Sequence, residues 1–355
     1  MTIKPIAVDH SSPVRDDDAF DSAAVHSWLR GEVPDLPEAL PSVGQFPGGA
    51  SNLTYSLSYP EQELILRRPP AGTKARSAHD MVREFQVQQH LRDAYPLVPK
   101  VLALCTDPEI IGDDFYVMER IPGMILRRDV PADLPITESK ARQLSETTTD
   151  TLVNLHRVDV DAAGLADLSR GPGYVARQIS GWSNRYRAAR TDNVPDFQTV
   201  MAWLAANQPP DVGTCLIHGD FRLDNLVLDP DTFEIIGVLD WELATVGDPL
   251  MDLGNSMAYW VQADDDPGMQ LARRQPTHLP GMLTREEFVQ RYCNAMRLPT
   301  DDWLFYETYG LFRIAVIVQQ IYYRFHHGQT QNPAFAEFWR YSEYLEQRCR
   351  RLLGV

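Results

Sequence analysis

Lysine is nearly absent from this chain. Its 33 basic residues include only Lys4, Lys74, Lys100 and Lys140; all the others are arginine. Cationic excess is missing too, because 49 acidic residues set the formal charge at −16. Nucleic acid and anionic membrane surfaces need clustered cations, so neither is expected as a partner. The four cysteines (Cys105, Cys215, Cys293, Cys349) form no C-x-x-C pair, which fits buried thiols in a reducing compartment better than disulfides or zinc. No long apolar run exists either: Leu311 to Val318 is broken by Arg313 and is far too short to span a bilayer. The opening MTIKPIAVDH has no apolar core for a signal peptide. A cytoplasmic location is the expectation.

What is present divides the chain. Residues 1–24 are polar, with RDDD at 15–18, and read as a loose arm. Residues 25–121 hold short strand patterns: LTYSLSY alternates, while ELILR and FYVMERI are buried-strand runs. Between the last two, SAHDMVREFQVQQHL predicts a helix with Ser77 as N-cap and with Met81, Phe85 and Leu91 near one face. Residues 122–355 turn helical, with Thr284 and Glu287 at capping-box spacing and a long apolar-aromatic helix over about 301–326. The expected class is α+β: an antiparallel-sheet N-lobe, a mainly helical C-lobe, and a cleft between them.

Three stretches carry chemistry. FPGGASNLTYSL, 46–57, places two glycines before a strand. Gly49 lets backbone amides approach phosphate, and Ser51 or the amides beyond it, from Asn52 on, can donate to anionic oxygens; an ordinary hairpin turn is the alternative. LILRRPP, 64–70, sets Arg67 at a strand end, with Glu84 in the next helix as the acid to hold it. The third, CLIHGDFRLDNLVLD, is strand, loop, strand, and EIIGVLDWE then delivers Asp240 at the end of a further strand. Asn225 and Asp240 would sit at adjacent ends of a hairpin, placed to share one Mg²⁺ through oxygen ligands. Asp220, five residues before Asn225, is left to accept a proton from a hydroxyl. A decorative Asp/Asn turn is the bland reading.

HGDFRLDN and LDWE resemble the catalytic and metal loops of the aminoglycoside phosphotransferase family, which has a protein-kinase-like two-lobed fold. The likeness covers roughly residues 25–345. GGASNLTY, LRRPP, REF, LHRVD and GDPLMDLG are similar to the branch found joined to acyl-CoA dehydrogenase domains, although no stretch of a dehydrogenase's length remains here. The resemblance implies ATP and Mg²⁺, with Asp220 as catalytic base and Asn225 and Asp240 as metal ligands. It puts Arg222 where such kinases often carry a phosphate-neutralising lysine. Met118 falls at the back of the adenine pocket, with the backbone of Glu119 and Ile121 as adenine partners. Glu84 matches the helix acid that pairs with the strand cation, and Asp252 is implied as a brace for the catalytic loop, or else a helix cap. One departure is plain: the family's strand cation is usually Lys, and here it is Arg67.

The implied reaction is phosphoryl transfer to a hydroxyl of a small molecule. Aminoglycosides are polycations, and ADDDPG at 263–268 offers an acidic rim, with a solvated loop as the alternative. Against this stand Trp182, Tyr186, Trp260, Trp303, Tyr306, Tyr309, Tyr322 and Tyr323, which are core or pocket, and Arg313 and Arg324 in an apolar helix. An apolar, anionic hydroxyacyl or hydroxy-acid compound suits such a lobe better. A non-catalytic module that keeps nucleotide or acyl ligand is the competing class. A protein kinase is disfavoured, since no D-F-G or A-P-E segment occurs.

Overall fold

In this computed structural model, residues 11–46, 52–70, 80–131 and 134–355 are described. The first half builds one antiparallel sheet. Helix α1 (Ser22–Glu32) precedes β1 (Ser42–Gln45), β2 (Leu53–Ser58) and β3 (Glu63–Arg68). Helix α2 (Met81–Leu91), β4 (Val101–Cys105), the short α3 (Pro108–Ile111) and β5 (Phe115–Glu119) complete it. The strand order is β1-β2-β3-β5-β4.

Alternation decides what each face covers. Tyr55, Leu57, Leu64, Leu66 and Val117 pack with Val25 and Leu29 of α1. Ile65, Tyr116 and Met118 point the other way, onto Met81 and Phe85 of α2. Both faces are therefore helix-covered, and neighbouring arginines on β3 part company. Arg67 lies on the α2 side. Arg68 lies on the α1 side, over the rings of Phe20 and Tyr55, and donates to the Asp18 carbonyl at 2.7 Å. That bond corrects the loose-arm reading for the described part of the arm, as does the bridge between Ser12 and Gln45. The cap of α2 is also corrected: Asp80 accepts from the Arg83 N–H at 2.9 Å, while Ser77 lies outside the described residues.

The remainder is mainly helical: α4 (Glu138–His156), α5 (Tyr174–Ala189) and α6 (Gln198–Ala206) come first. Two small two-stranded sheets follow, β6 (Cys215–Ile217) with β9 (Thr245–Gly247), and β7 (Leu226–Leu228) with β8 (Ile235–Val238). Helices α7 (Pro249–Ala258), α8 (Pro267–Ala272), α9 (Arg285–Met296), α10 (Trp303–His326) and α11 (Phe338–Leu353) close the chain. The Thr284–Glu287 capping box forms as expected. Helices α7 and α10 meet at two glycines: a Cβ on Gly310 would stand 2.2 Å from the Gly254 carbonyl oxygen, and one on Gly254 would stand 2.5 Å from that of Tyr306. Any larger residue there would push the helices apart, and each carries a residue that touches the loop at 218–225. No helix among the described residues is long and apolar enough to cross a membrane. All four cysteines are buried and free.

Candidate active site

The loop between β6 and β7 is held mainly through its backbone. The Asp252 carboxylate, fully buried in α7, accepts from the N–H groups of His218 and Gly219, each at 2.9 Å. Behind it, His156 Nε2 donates to Asp252 Oδ2 at 3.2 Å, and Tyr292 Oη donates to His156 Nδ1 at 2.5 Å. Burial alone would raise the Asp252 pKa, but the hydrogen bond from His156 and the charge-stabilising neighbours bring it below the ordinary value. The helix cap is a different residue, Asp248, which accepts from Leu250 and Met251 N–H. Gly219 has φ +80, and a Cβ there would meet the Leu243 side chain at 2.9 Å, so the second position of HGD has to be glycine. Asp252→Ala would leave two buried amides without acceptors, each costing about 1–3 kcal/mol. The expected result is a lower unfolding midpoint in a denaturant titration together with reduced activity. A variant of unchanged stability would show that the loop is held by other contacts.

The metal candidates converge as the hairpin predicts. Leu226 pairs with Val238, and the Leu239 N–H donates to the Asn225 carbonyl at 2.8 Å, bringing Asn225 and Asp240 to one end of the β7–β8 ribbon. Asn225 Nδ2 donates to both the backbone oxygen and Oδ2 of Asp220, at 2.9 and 3.2 Å. That arrangement commits the nitrogen of the amide and turns its oxygen elsewhere. Asp240 adopts φ +69, a left-handed conformation that Asp tolerates better than most residues. His218 ties hairpin to loop, donating from Nε2 to the Leu239 carbonyl at 2.9 Å while Nδ1 accepts from the Asp220 N–H at 3.2 Å.

Among the described residues no group of three His, Cys, Asp or Glu side chains could enclose a metal by itself. One amide oxygen and one carboxylate are nevertheless the donor set that suits Mg²⁺, which keeps waters and takes further oxygens from a phosphate ligand. The residues present fit that ion.

Arg67 reaches the same place from the sheet. Its Nη1 lies 3.4 Å from Glu84 Oε1, and its Nη2 donates to Asp240 Oδ1 at 2.9 Å. The pairing with Glu84 was legible in the sequence; the one with Asp240 was not. Burial opposes charge on all three groups. Glu84 remains raised, with Arg67 the largest opposing influence, whereas for Asp240 the Arg67 charge and hydrogen bond prevail and its pKa falls. Arg67 is driven well above its ordinary value by Glu84, Tyr116 and Asp240 despite burial. Losing such a charge-assisted contact costs about 1.5–3 kcal/mol, tenfold to a hundredfold in binding or rate. Arg67→Ala should weaken Mg·ATP use by that factor and Arg67→Lys by less. Arg68→Ala should lower N-lobe stability and leave nucleotide affinity unchanged. Isothermal titration and thermal melts on the three variants separate these outcomes, and a loss of affinity confined to Arg68→Ala would put the wrong arginine in the cleft.

These groups share one cleft of about 440 Å³. Its lining includes Asn52, Arg67, Met118, Glu119, Ile121, Asp220, Arg222, Asn225 and Asp240, so eight of the wall positions expected from the resemblance fall together with Asn52. Glu84 sits behind Arg67. The Glu119 N–H already donates to the Lys100 carbonyl at 2.9 Å, so among its backbone groups the carbonyl is the better partner for a base. Gly49 and Ser51 lie outside the described residues. Asn52 donates from Nδ2 to Glu242 Oε2 at 2.8 Å, joining the start of β2 to the residue two beyond Asp240. Arg222 binds Asp220 at 3.0 Å and Asp224 at 3.4 Å, and its guanidinium lies 4.6 Å from the centre of the Tyr259 ring. Burial raises the Asp224 pKa, with Arg222 pulling against it.

Of the eight aromatics read as core or pocket, none lines the cleft, and Tyr186, Trp260, Tyr306, Tyr309 and Tyr322 are buried as core residues would be. Tyr259 does line it, and nothing in its spacing marks it. Arg324 is exposed, so it is not a buried charge in want of a partner. Arg313 differs from it: it is buried, lines the cleft and donates from Nη2 to the Gly219 carbonyl at 2.7 Å. The acidic rim is otherwise engaged. Asp265 binds Arg285 and Arg348 at 2.5 and 3.0 Å, and Asp266 binds Arg348 and Arg351 at 3.2 and 3.3 Å.

Residues 42–301 match the family described as phosphotransferase enzyme family, APH. Acyl-CoA dehydrogenase family member 10 of Mus musculus is 35% identical over 344 residues, covering 96% of this chain and 32% of that protein. The chain thus spans about a third of that relative's length. A protein of Ralstonia eutropha JMP134, assigned in its crystal structure as an aminoglycoside phosphotransferase, is 28% identical with TM-score 0.79, covering 95% of this chain and 99% of the other. A thermostable mutant of aminoglycoside phosphotransferase APH(4)-Ia, solved with AMP-PNP and hygromycin B, shares the fold at 15% identity and TM-score 0.55, over 93% of this chain and 98% of that one. The antiparallel sheet followed by a mainly helical part is the kinase-like architecture expected from the motifs.

Proposed function

The chain belongs to the phosphotransferase enzyme family, and from that premise we propose that it transfers the γ-phosphoryl group of ATP, with Mg²⁺, to an alcohol hydroxyl of a small molecule. The observation that carries this reading is the convergence of Asp220, Asn225 and Asp240 on one cleft wall, with Arg67 and Arg222 beside them. Adenine would lie against Met118, with the Glu119 carbonyl and the Ile121 N–H as its partners. Asn225 and Asp240 would hold Mg²⁺, which when bound offsets phosphate charge. Arg67 and Arg222 supply fixed positive charge on the same wall.

Asp220 has the protein's part in the chemistry. The acceptor oxygen bonds to the γ-phosphorus, the bond from that phosphorus to the β-phosphate oxygen breaks, ADP leaves, and the hydroxyl proton passes to Asp220. Arg222 and Asn225 fix that carboxylate from two sides, so little reorganisation is needed when the acceptor arrives. The cleft lining also includes Ile125, Ile317 and Tyr259 with Arg127, Arg222 and Arg313. Apolar walls studded with guanidiniums suit a hydroxyacyl or hydroxy-acid compound better than a polycationic aminoglycoside.

One observation favours a second reading, a nucleotide- or acyl-binding module without turnover. Arg67 already occupies an oxygen of Asp240, the carboxylate assigned to the metal. The two readings separate when Mg·ATP is titrated and ADP release is then followed over a panel of hydroxy compounds. Binding with ADP release and a phosphorylated acceptor supports transfer; binding with no turnover on any acceptor supports the module.

A further inference from the structure

We propose that Arg313 is a specificity residue that binds a carboxylate of the acceptor, selecting short hydroxy acids over their neutral and cationic analogues. The inference rests on the phosphotransferase reading of the cleft and adds to it the charge of the acceptor and the group that reads it.

Arg313 is only 4% exposed, yet no carboxylate among the described residues lies within ion-pair distance of it. Its Nη2 is used on the Gly219 carbonyl, and its guanidinium stands 5.2 Å from the centre of the Trp182 ring. Its Nη1 is buried and has no hydrogen-bond partner. A buried cation with an idle donor is costly unless an anion completes it. The other arginines discussed around Asp220 differ: Arg67 has Glu84 and Asp240, and Arg222 has Asp220 and Asp224. Arg313 lines the cleft with no carboxylate among the described residues to pair it and with one buried donor idle.

Gly219 immediately precedes Asp220, so the residue whose guanidinium grips the peptide presenting the catalytic carboxylate also lines the cleft. Successive Cα atoms are about 3.8 Å apart. An acceptor whose carboxylate reaches this guanidinium therefore brings a hydroxyl to Asp220 only if a few bonds separate the two groups. The close glycine contact between α7 and α10 fixes this spacing, since Asp252 and Arg313 grip adjacent parts of the same loop from those helices.

The test compares lactate, β-hydroxybutyrate and γ-hydroxybutyrate with their methyl esters and with the corresponding amino alcohols, at fixed Mg·ATP. ADP release gives kcat/KM, and calorimetry with Mg·AMP-PNP present gives acceptor affinity. The expected result is that at least one acid is preferred over its ester by about tenfold to a hundredfold, the range for a charge-assisted bond. Arg313→Gln should bring that ratio near unity, and Arg313→Lys should keep part of it. Comparing acid with ester on the unaltered protein needs no variant, so a poorly folded Arg313→Gln leaves the test intact. Equal use of acid and ester, a preference that survives Arg313→Gln, or no binding and turnover of any acid overturns the proposal. ADP release without acid preference removes the Arg313 assignment and leaves phosphoryl transfer standing. Arg313-dependent acid binding without ADP release does the reverse.

Discussion

Asp220→Asn binds Mg·ATP with the affinity of the parent and transfers phosphoryl groups about 10²- to 10⁴-fold more slowly. That span is what a positioned general base contributes. The substitution is nearly isosteric, and most of what holds the loop does not pass through this carboxylate. Asn225 still reaches the Asp220 backbone oxygen at 2.9 Å, Asp252 still holds the two preceding amides, and Arg222 still has Asp224. What disappears is the acceptor for the hydroxyl proton. The discriminating readout is the split between affinity, from calorimetry, and single-turnover rate with any acceptor that the parent uses. A parent-like rate would mean that Asp220 is not the base.

Asp240→Asn lowers Mg-dependent ATP affinity by more than about a hundredfold, since it removes the only carboxylate of the proposed ligand pair and a supporting residue alone is worth tenfold to a hundredfold. Asn is the better first substitution because it tolerates the left-handed backbone at this position, where Ala carries roughly 1–2 kcal/mol of strain. Two effects then act in opposite directions. Loss of the carboxylate weakens the hold on the metal, while Arg67 is released from its 2.9 Å bond and keeps Glu84 as partner. If nucleotide binding survives without magnesium, the freed guanidinium has taken over the phosphate. Titration of ATP across a magnesium series checks both limbs, and affinity unchanged at every magnesium concentration would remove Asp240 from the metal site.

Proximity along the chain explains what the sequence disclosed. Asp220, Asn225 and Asp240 fall within one strand-loop-hairpin unit, and hairpin pairing alone brings Asn225 beside Asp240. The two-faced character of β3 was equally legible, because strand alternation has to send Arg67 and Arg68 apart. Contacts between distant elements were not. Arg67 and Asp240 are 173 residues apart, and Arg313 and Gly219 are 94 apart. Their meeting depends on how the sheet docks on the helical part and on a helix–helix approach set by two glycines. Tyr259 was missed for a similar reason: it follows the last residue of α7, where helical periodicity no longer says which way a side chain faces. The acidic 263–268 stretch misled by composition, since its partners Arg285, Arg348 and Arg351 come from two later helices.

Transfer of phosphate from ATP to an alcohol is the activity proposed for this cleft. The most direct test incubates the protein with γ-labelled ATP, magnesium and a mixed panel of hydroxy acids, hydroxyacyl thioesters and cationic sugars, and then resolves the label by mass spectrometry. Label is expected on an alcohol oxygen of one compound class in proportion to ADP formed, and both chelating magnesium and Asp220→Asn should stop it. Tight Mg·ATP binding with no labelled acceptor and no ADP from any member of the panel would contradict it.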